Sequence, residues 1–121
     1  MKKQLTLALL LLVLLSGCAS NTIEGGPVNN SGIKDGIYKG SASQGPVHVI
    51  AEVTVADTKI TRINLLKHRT WKGKPAHKII PERIIEEQST DVDGVSGATM
   101  SSVAIMNAVE DAVKKSIQSD Q

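Results

Sequence analysis

Ten consecutive residues, Asp93-Gly94-Val95-Ser96-Gly97-Ala98-Thr99-Met100-Ser101-Ser102, bring a carboxylate, four hydroxyls and three small residues together just ahead of an apolar periodicity. That periodicity, Val103, Met106, Val109 or Ala112, Val113 and Ile117, predicts one face of a long C-terminal helix. The hydroxyls therefore fall at a helix N-terminus. The first backbone N–H groups there lack intrahelical partners and the dipole presents its positive end. This suits an anion such as phosphate, at about 0.3 to 1 kcal/mol per charge. Gly97 and Ala98 would let a ligand approach closely. The same residues suit ordinary capping by Thr99 or Ser101, which needs no ligand. Residue types alone leave both readings open.

Other reactive side chains form weaker patterns. His48, His68 and His77 are dispersed, without a His-Glu-x-x-His spacing or partner cysteines, so no metal site is expected. Ser96 sits in Gly94-Val95-Ser96-Gly97-Ala98, which lacks the second glycine of a nucleophile elbow, and no histidine and acid are placed to activate it. Trp71, the single tryptophan, suits packing beside a ligand, capping a sheet edge or seating against a helix. Glu86-Glu87 and Lys114-Lys115 read as solvated helix faces.

A second chemistry lies near the start. Lys2 and Lys3 precede Leu5 to Leu15, apolar except for Thr6. This run is about half the roughly 20 residues a spanning helix needs, which suits a signal peptide over residues 1–17. Leu15-Ser16-Gly17-Cys18 resembles the bacterial lipobox, in which the cysteine becomes a lipidated N-terminus. The alternative is ordinary secretory cleavage that leaves a free thiol. Two acyl chains on Cys18 would anchor the protein stably. The expected location is thus extracytoplasmic and lipid-anchored to a bacterial membrane. The formal charge of +2 includes Lys2 and Lys3, so the mature side chains balance near zero. No basic cluster interleaved with aromatics appears, and no nucleic-acid partner is expected.

These sites need positioning elements. Residues 18–34, rich in Asn, Gly and Ser, read as the lipidated N-terminus and a flexible tether, leaving 35–121 as one domain. The chain has no Phe, one Tyr and one Trp, so its core must come from Ile, Val, Leu, Ala and Met. Gly36 to Gly40 predicts a short strand bounded by turns. Pro46 to Ala56 alternates with period two and predicts a half-buried strand. Ala56-Asp57-Thr58-Lys59 predicts a tight turn into a third strand, about Ile60 to Lys67, with Leu65-Leu66 marking a bulge. Pro75 predicts the start of one short helix and Pro81 that of another. Strands followed by helices predict an α+β domain: a small antiparallel sheet packed against a few helices, with a long C-terminal helix.

Asp93-x-x-Ser96-Gly97-Ala98-Thr99 resembles the flavinylation motif of the FMN-binding domain family, with no departure inside the motif. That family includes subunits of the sodium-pumping NADH:quinone reductase, its electron-transfer relatives and small flavinylated lipoproteins. The resemblance extends to Asp35-Gly36-Ile37-Tyr38-Lys39-Gly40, to Val53-Thr54-Val55 with Lys59-Ile60, and to Gln88-Ser89. It implies FMN joined to Thr99 through a phosphoester bond, installed by a flavin transferase that uses FAD and magnesium and reads Asp93 and Ser96-Gly97-Ala98. The hydroxyls of Ser101 and Ser102 are expected near the phosphate. The implied function is a membrane-anchored electron carrier, not an enzyme by itself, with membrane redox partners or quinone reductases. The alternatives are a lipoprotein binding module without flavin and an accessory subunit of a membrane redox complex.

Overall fold

Along Val47–Ala56 odd-numbered residues are buried and even-numbered ones only partly covered, the pleat of a strand with one face on the core. This is β2, the middle of a three-stranded antiparallel sheet of order β1-β2-β3. A computed structural model describes residues 25–28, 32–69 and 73–118. Cys18, the segment 1–17 and Trp71 lie outside the described residues. Around β2 stand β1 (Gly36–Gln44) and β3 (Lys59–Arg69), and two helices follow, α1 (Lys74–Glu87) and α2 (Thr99–Gln118). The fold is α+β, with its long helix at the C-terminus. Among the described residues no helix is long and apolar enough to cross a membrane.

The turn between β2 and β3 places Asp57 and Thr58 at φ 54° and 59°. Two left-handed residues give a type I′ turn, whose twist matches the flanking strands. Further along, register shifts between Ile50 and Ala51, whose partners are Lys67 and Leu65. Leu66 is the extra residue, so the doubled leucine does mark a bulge.

Gly40 corrects the expected first strand. It is not a turn but the middle of β1, paired with Ala51, and the strand runs on to Gln44. A Cβ at Gly40 would meet the Ala108 carbonyl oxygen at 2.1 Å and the Ala112 nitrogen at 2.4 Å. Helix α2 therefore lies directly on β1, and only small residues permit that approach. The same contact rotates the helix from the expected face. Ala104, Ile105, Ala108, Val109, Ala112 and Val113 are buried, while Val103, Met106 and Ile117 are half-buried.

The two short helices expected at Pro75 and Pro81 are one. Pro81 removes an intrahelical N–H donor, a cost that normally breaks a helix. Here both sides of it contribute to one buried stripe, Ala76, Ile80, Pro81 and Ile84, and packing outweighs the lost bond. Helix α1 ends at Gln88 in the left-handed region, φ 50°. The Gln88 amide then bonds Ile60, accepting from its N–H (2.9 Å) and donating to its carbonyl (2.8 Å), which ties the helix end to β3.

The core also recruits residues assigned to the tether. Val28 and Ile33 are 0% and 3% exposed. The Val28 N–H donates to the Gln88 carbonyl (2.9 Å), the Thr90 N–H to the Gly26 carbonyl (3.0 Å), and Pro27 bridges Ser89. The fold thus begins ahead of the expected boundary at 34. Two isolated apolar residues in a Gly- and Asn-rich stretch carry no periodicity that would reveal them.

Candidate functional site

Helix α2 begins at Thr99, and the loop before it is built to hold that hydroxyl outward. Val95, Ser96, Gly97 and Ala98 form a tight turn in which the Ala98 N–H donates to the Val95 carbonyl (3.0 Å). Gly97, at φ 80°, takes the third position, the signature of a type II turn. A Cβ there would meet nothing within 4 Å, so its surroundings are open.

Ser102 locks this turn from inside. Its hydroxyl accepts the Val95 N–H (2.9 Å) and donates to the Ala98 carbonyl (2.8 Å), and its side chain is fully buried. The hydroxyl expected near a phosphate is therefore occupied in the interior. Ser102→Ala would leave the partly buried Val95 donor without its acceptor, at a cost of about 1 kcal/mol or more. The expected result is a melting temperature lowered by about 4 °C or more, checked by thermal unfolding.

Ser101 also points inward, 2% exposed, and a hydrogen bond of 3.0 Å links its Oγ to His68 Nε2. His68 in turn stacks on His77, with ring centroids 5.4 Å apart and Nδ1 atoms 3.2 Å apart. Two histidines dispersed in sequence are thus neighbours in space, because β3 runs past α2 and α1 returns beside it. Beyond His77 an open groove of about 420 Å³ runs between β3 and α1, with apolar walls of Ile63, Leu65, Pro81 and Ile85.

Burial first, and the nearby His77 second, hold the His68 imidazole below its ordinary pKa of 6.5. The folded state then binds this proton more weakly than the unfolded chain does. The associated stability is present above pH 6.5 and is lost as pH falls through the lowered folded value. Urea unfolding at descending pH is expected to show this loss below pH 6.5, and His68→Gln to reduce the slope.

The remaining motif residues face solvent. Asp93, Ser96 and Thr99 are exposed, and their side chains make no hydrogen bond or ion pair among the described residues. Ala98, 5% exposed, occupies the capping position, since its carbonyl accepts the first helical N–H from Ser102 (2.9 Å). Alanine offers no side-chain oxygen to the helix end. The Thr99 side chain makes no hydrogen bond among the described residues, Ser101 Oγ bonds His68, and the first turn contains no acidic residue. The N–H groups of Thr99 and Met100 have no partner among the described residues. Met100, 54% exposed, lies beside this end, its sulfur 3.2 Å from where a Cβ on Gly45 would stand.

Arg83 completes the site and has no signature in the sequence. From α1 its Nη1 donates to the carbonyls of Asp93 (2.7 Å) and Gly94 (3.2 Å), fixing the loop and adding a cation. Its helix register explains why. Arg83 is half-buried next to Ile84, and that position aims it at the loop before α2.

The chemistry of this donor set fits a phosphate ester. An exposed hydroxyl stands at a helix N-terminus where the Thr99 and Met100 N–H groups have no partner among the described residues, with no carboxylate in the first turn and open space at Gly97.

A model of the FMN-binding domain matches residues 43–114. The chain is 34% identical over 109 residues to a urocanate reductase of Eggerthella lenta, covering 84% of this chain and 17% of that protein. It is 34% identical over 80 residues to an uncharacterized protein of Treponema pallidum, covering 64% of this chain and 22% of that one. The chain thus spans about a fifth of the length of the curated relatives it matches.

Proposed function

Because this chain belongs to the FMN-binding domain family and is thereby a flavoprotein module, we propose that it holds FMN through a phosphoester bond to Thr99 and serves as a lipid-anchored electron carrier. The observation that carries this reading is the Thr99 hydroxyl, exposed and without a side-chain hydrogen bond among the described residues, at the first position of the last helix.

Attachment proceeds by transfer from FAD. Thr99 Oγ would be the acceptor of the FMN phosphoryl group from FAD, in a magnesium-dependent flavin transferase, with AMP as the leaving group and the hydroxyl proton released. A diester there would keep one negative charge, which the N–H groups of Thr99 and Met100 would hold. Arg83 holds the Asp93-Gly94 backbone in place, which leaves the Asp93 carboxylate and Ser96 free for the transferase to read. When bound, FMN supplies the electron-transfer chemistry, and the protein supplies attachment and orientation. The apolar groove beside His77 offers the ring an aliphatic surface in a fold with few aromatics.

Anchoring at Cys18 would hold this flavin close to the membrane. Only residues 19–24 separate Cys18 from Gly25, whose N–H donates to Glu110 on α2 (2.5 Å). Seven Cα steps reach at most roughly 25 Å. The leash is shorter than a tether extending to residue 34 would allow.

Intact mass of protein from a host with the flavin transferase tests the reading. The expected species carries diacylglyceryl at Cys18 and one FMN less water, and the denatured band fluoresces as flavin. An unmodified Thr99 in that host would favour a binding module that never receives flavin.

A further inference from the structure

From the face of the sheet turned away from the helices we infer a second functional surface: it docks the domain flat on an anionic phospholipid bilayer. Gly40 and Ala51 share the side that carries α2, so the alternate residues of each strand face away from the helices. No described element covers that side. Across it, Ile37, Lys39, Ser41 and Ser43 of β1 pair with Thr54, Glu52, Ile50 and His48 of β2. On β3, Arg62, Asn64, Lys67 and Arg69 pair with Thr54, Glu52, Ile50 and His48, and Lys59 pairs with Ala56.

Charge is strongly segregated there. Of 14 lysines and arginines in the chain, Lys2 and Lys3 lie in the leader, and the other 12 match 12 aspartates and glutamates. This face holds five of those cations, Lys39, Lys59, Arg62, Lys67 and Arg69, against Glu52 as its single acid. None of the five makes an ion pair among the described residues, whereas Lys114 and Lys115 on α2 pair with Glu110 and Asp111. Two large apolar side chains stand out with them: Ile37, 65% exposed, and Leu66, the bulge residue beside Lys67, 48% exposed.

Unpaired cations around exposed aliphatic side chains match the two layers of a bilayer surface, phosphate headgroups and the acyl boundary beneath. An acidic electron-transfer partner is less well served. Such a partner must sit close to the flavin, and Thr99 begins the helix that covers the opposite side of the sheet. A domain seated on this face leaves its cofactor end free. The inference stands on the sheet alone and does not require the lipid on Cys18.

The chain from Ala19 to Gln121 keeps every described residue and carries no lipid, so it isolates this surface. Co-sedimentation with vesicles of equal parts phosphatidylglycerol and phosphatidylcholine is expected to show binding that raised salt releases, with none to phosphatidylcholine alone. Each surface cation is worth about fivefold in partition, so reversing Lys67→Glu and Arg69→Glu together is expected to weaken binding by about 25-fold or more. Lys39→Glu with Arg62→Glu should act alike, and a cooperative thermal transition identifies the pair that remains folded. Lys114→Glu with Lys115→Glu makes the same net change on α2 and should shift binding less than about threefold. Equal binding to both vesicle types, or equal losses from the sheet and helix variants, overturns the proposal. So does a sheet variant that dissolves a self-associated species while vesicle binding persists, which would assign the face to a second copy of the chain.

Discussion

Thr99→Ala is expected to abolish covalent flavin: the denatured protein should lose its fluorescence and its mass gain of one FMN less water, while Thr99→Ser keeps a large part of both. Only Oγ can form the ester bond, and serine places an equivalent oxygen at the same helix position. The Thr99 side chain is exposed and makes no hydrogen bond among the described residues. Its removal should therefore change stability by no more than about 0.5 kcal/mol, alanine being the better helix former. This separates loss of attachment from loss of fold. A mass gain retained by Thr99→Ala, with the melting curve unchanged, would place the bond on another residue, and the exposed Ser96 would be examined first.

Gly40→Val is expected to have the largest effect on the fold itself. An added Cβ would lie 2.1 Å and 2.4 Å from backbone atoms of Ala108 and Ala112. A flexible side chain could turn aside, but the backbone of a helical turn cannot. Helix α2 must lift from β1, opening the layer that buries Ala51, Ile105 and Val109. Overpacking of this kind costs about 3 kcal/mol or more, a large share of the roughly 5 to 15 kcal/mol that holds a domain together. Urea unfolding should show a midpoint far below that of the parent chain or no cooperative transition. Because Thr99 is carried by the same helix, flavin attachment should fall with it, whereas Thr99→Ala leaves the fold intact. A Gly40→Val protein with a parental midpoint would mean that the helix does not press on β1.

The strands and the start of the last helix were legible because each depends on local order. Val47, Val49, Ala51, Val53 and Val55 alternate strictly, and a strand with one buried face requires that pattern. Asp57-Thr58 and the doubled Leu65-Leu66 mark a turn and a bulge through backbone rules that act over a few residues. The hydroxyl-rich stretch before a periodic helix likewise locates a helix N-terminus, and the motif spacing singles out Thr99 within it.

What the sequence by itself determined, then, is a hydroxyl at the start of the last helix, an α+β order of elements and a family likeness. Tertiary structure alone decided which hydroxyls remain available. Ser101 and Ser102 look equivalent to Thr99 in the sequence, but helix rotation turns them inward to His68 and to the loop backbone. That rotation follows from the closeness of β1, where Gly40 admits Ala108 and Ala112 and displaces Val103 and Met106 from the centre of the buried face. Likewise Arg83 reaches the loop, and His77 meets His68, only because α1 folds back against β3 and α2. These contacts join residues distant in the chain, and no local periodicity encodes them. The place of Thr99 at a helix start is a local property of the sequence, whereas its exposure and surroundings are set by how closely two backbones pack.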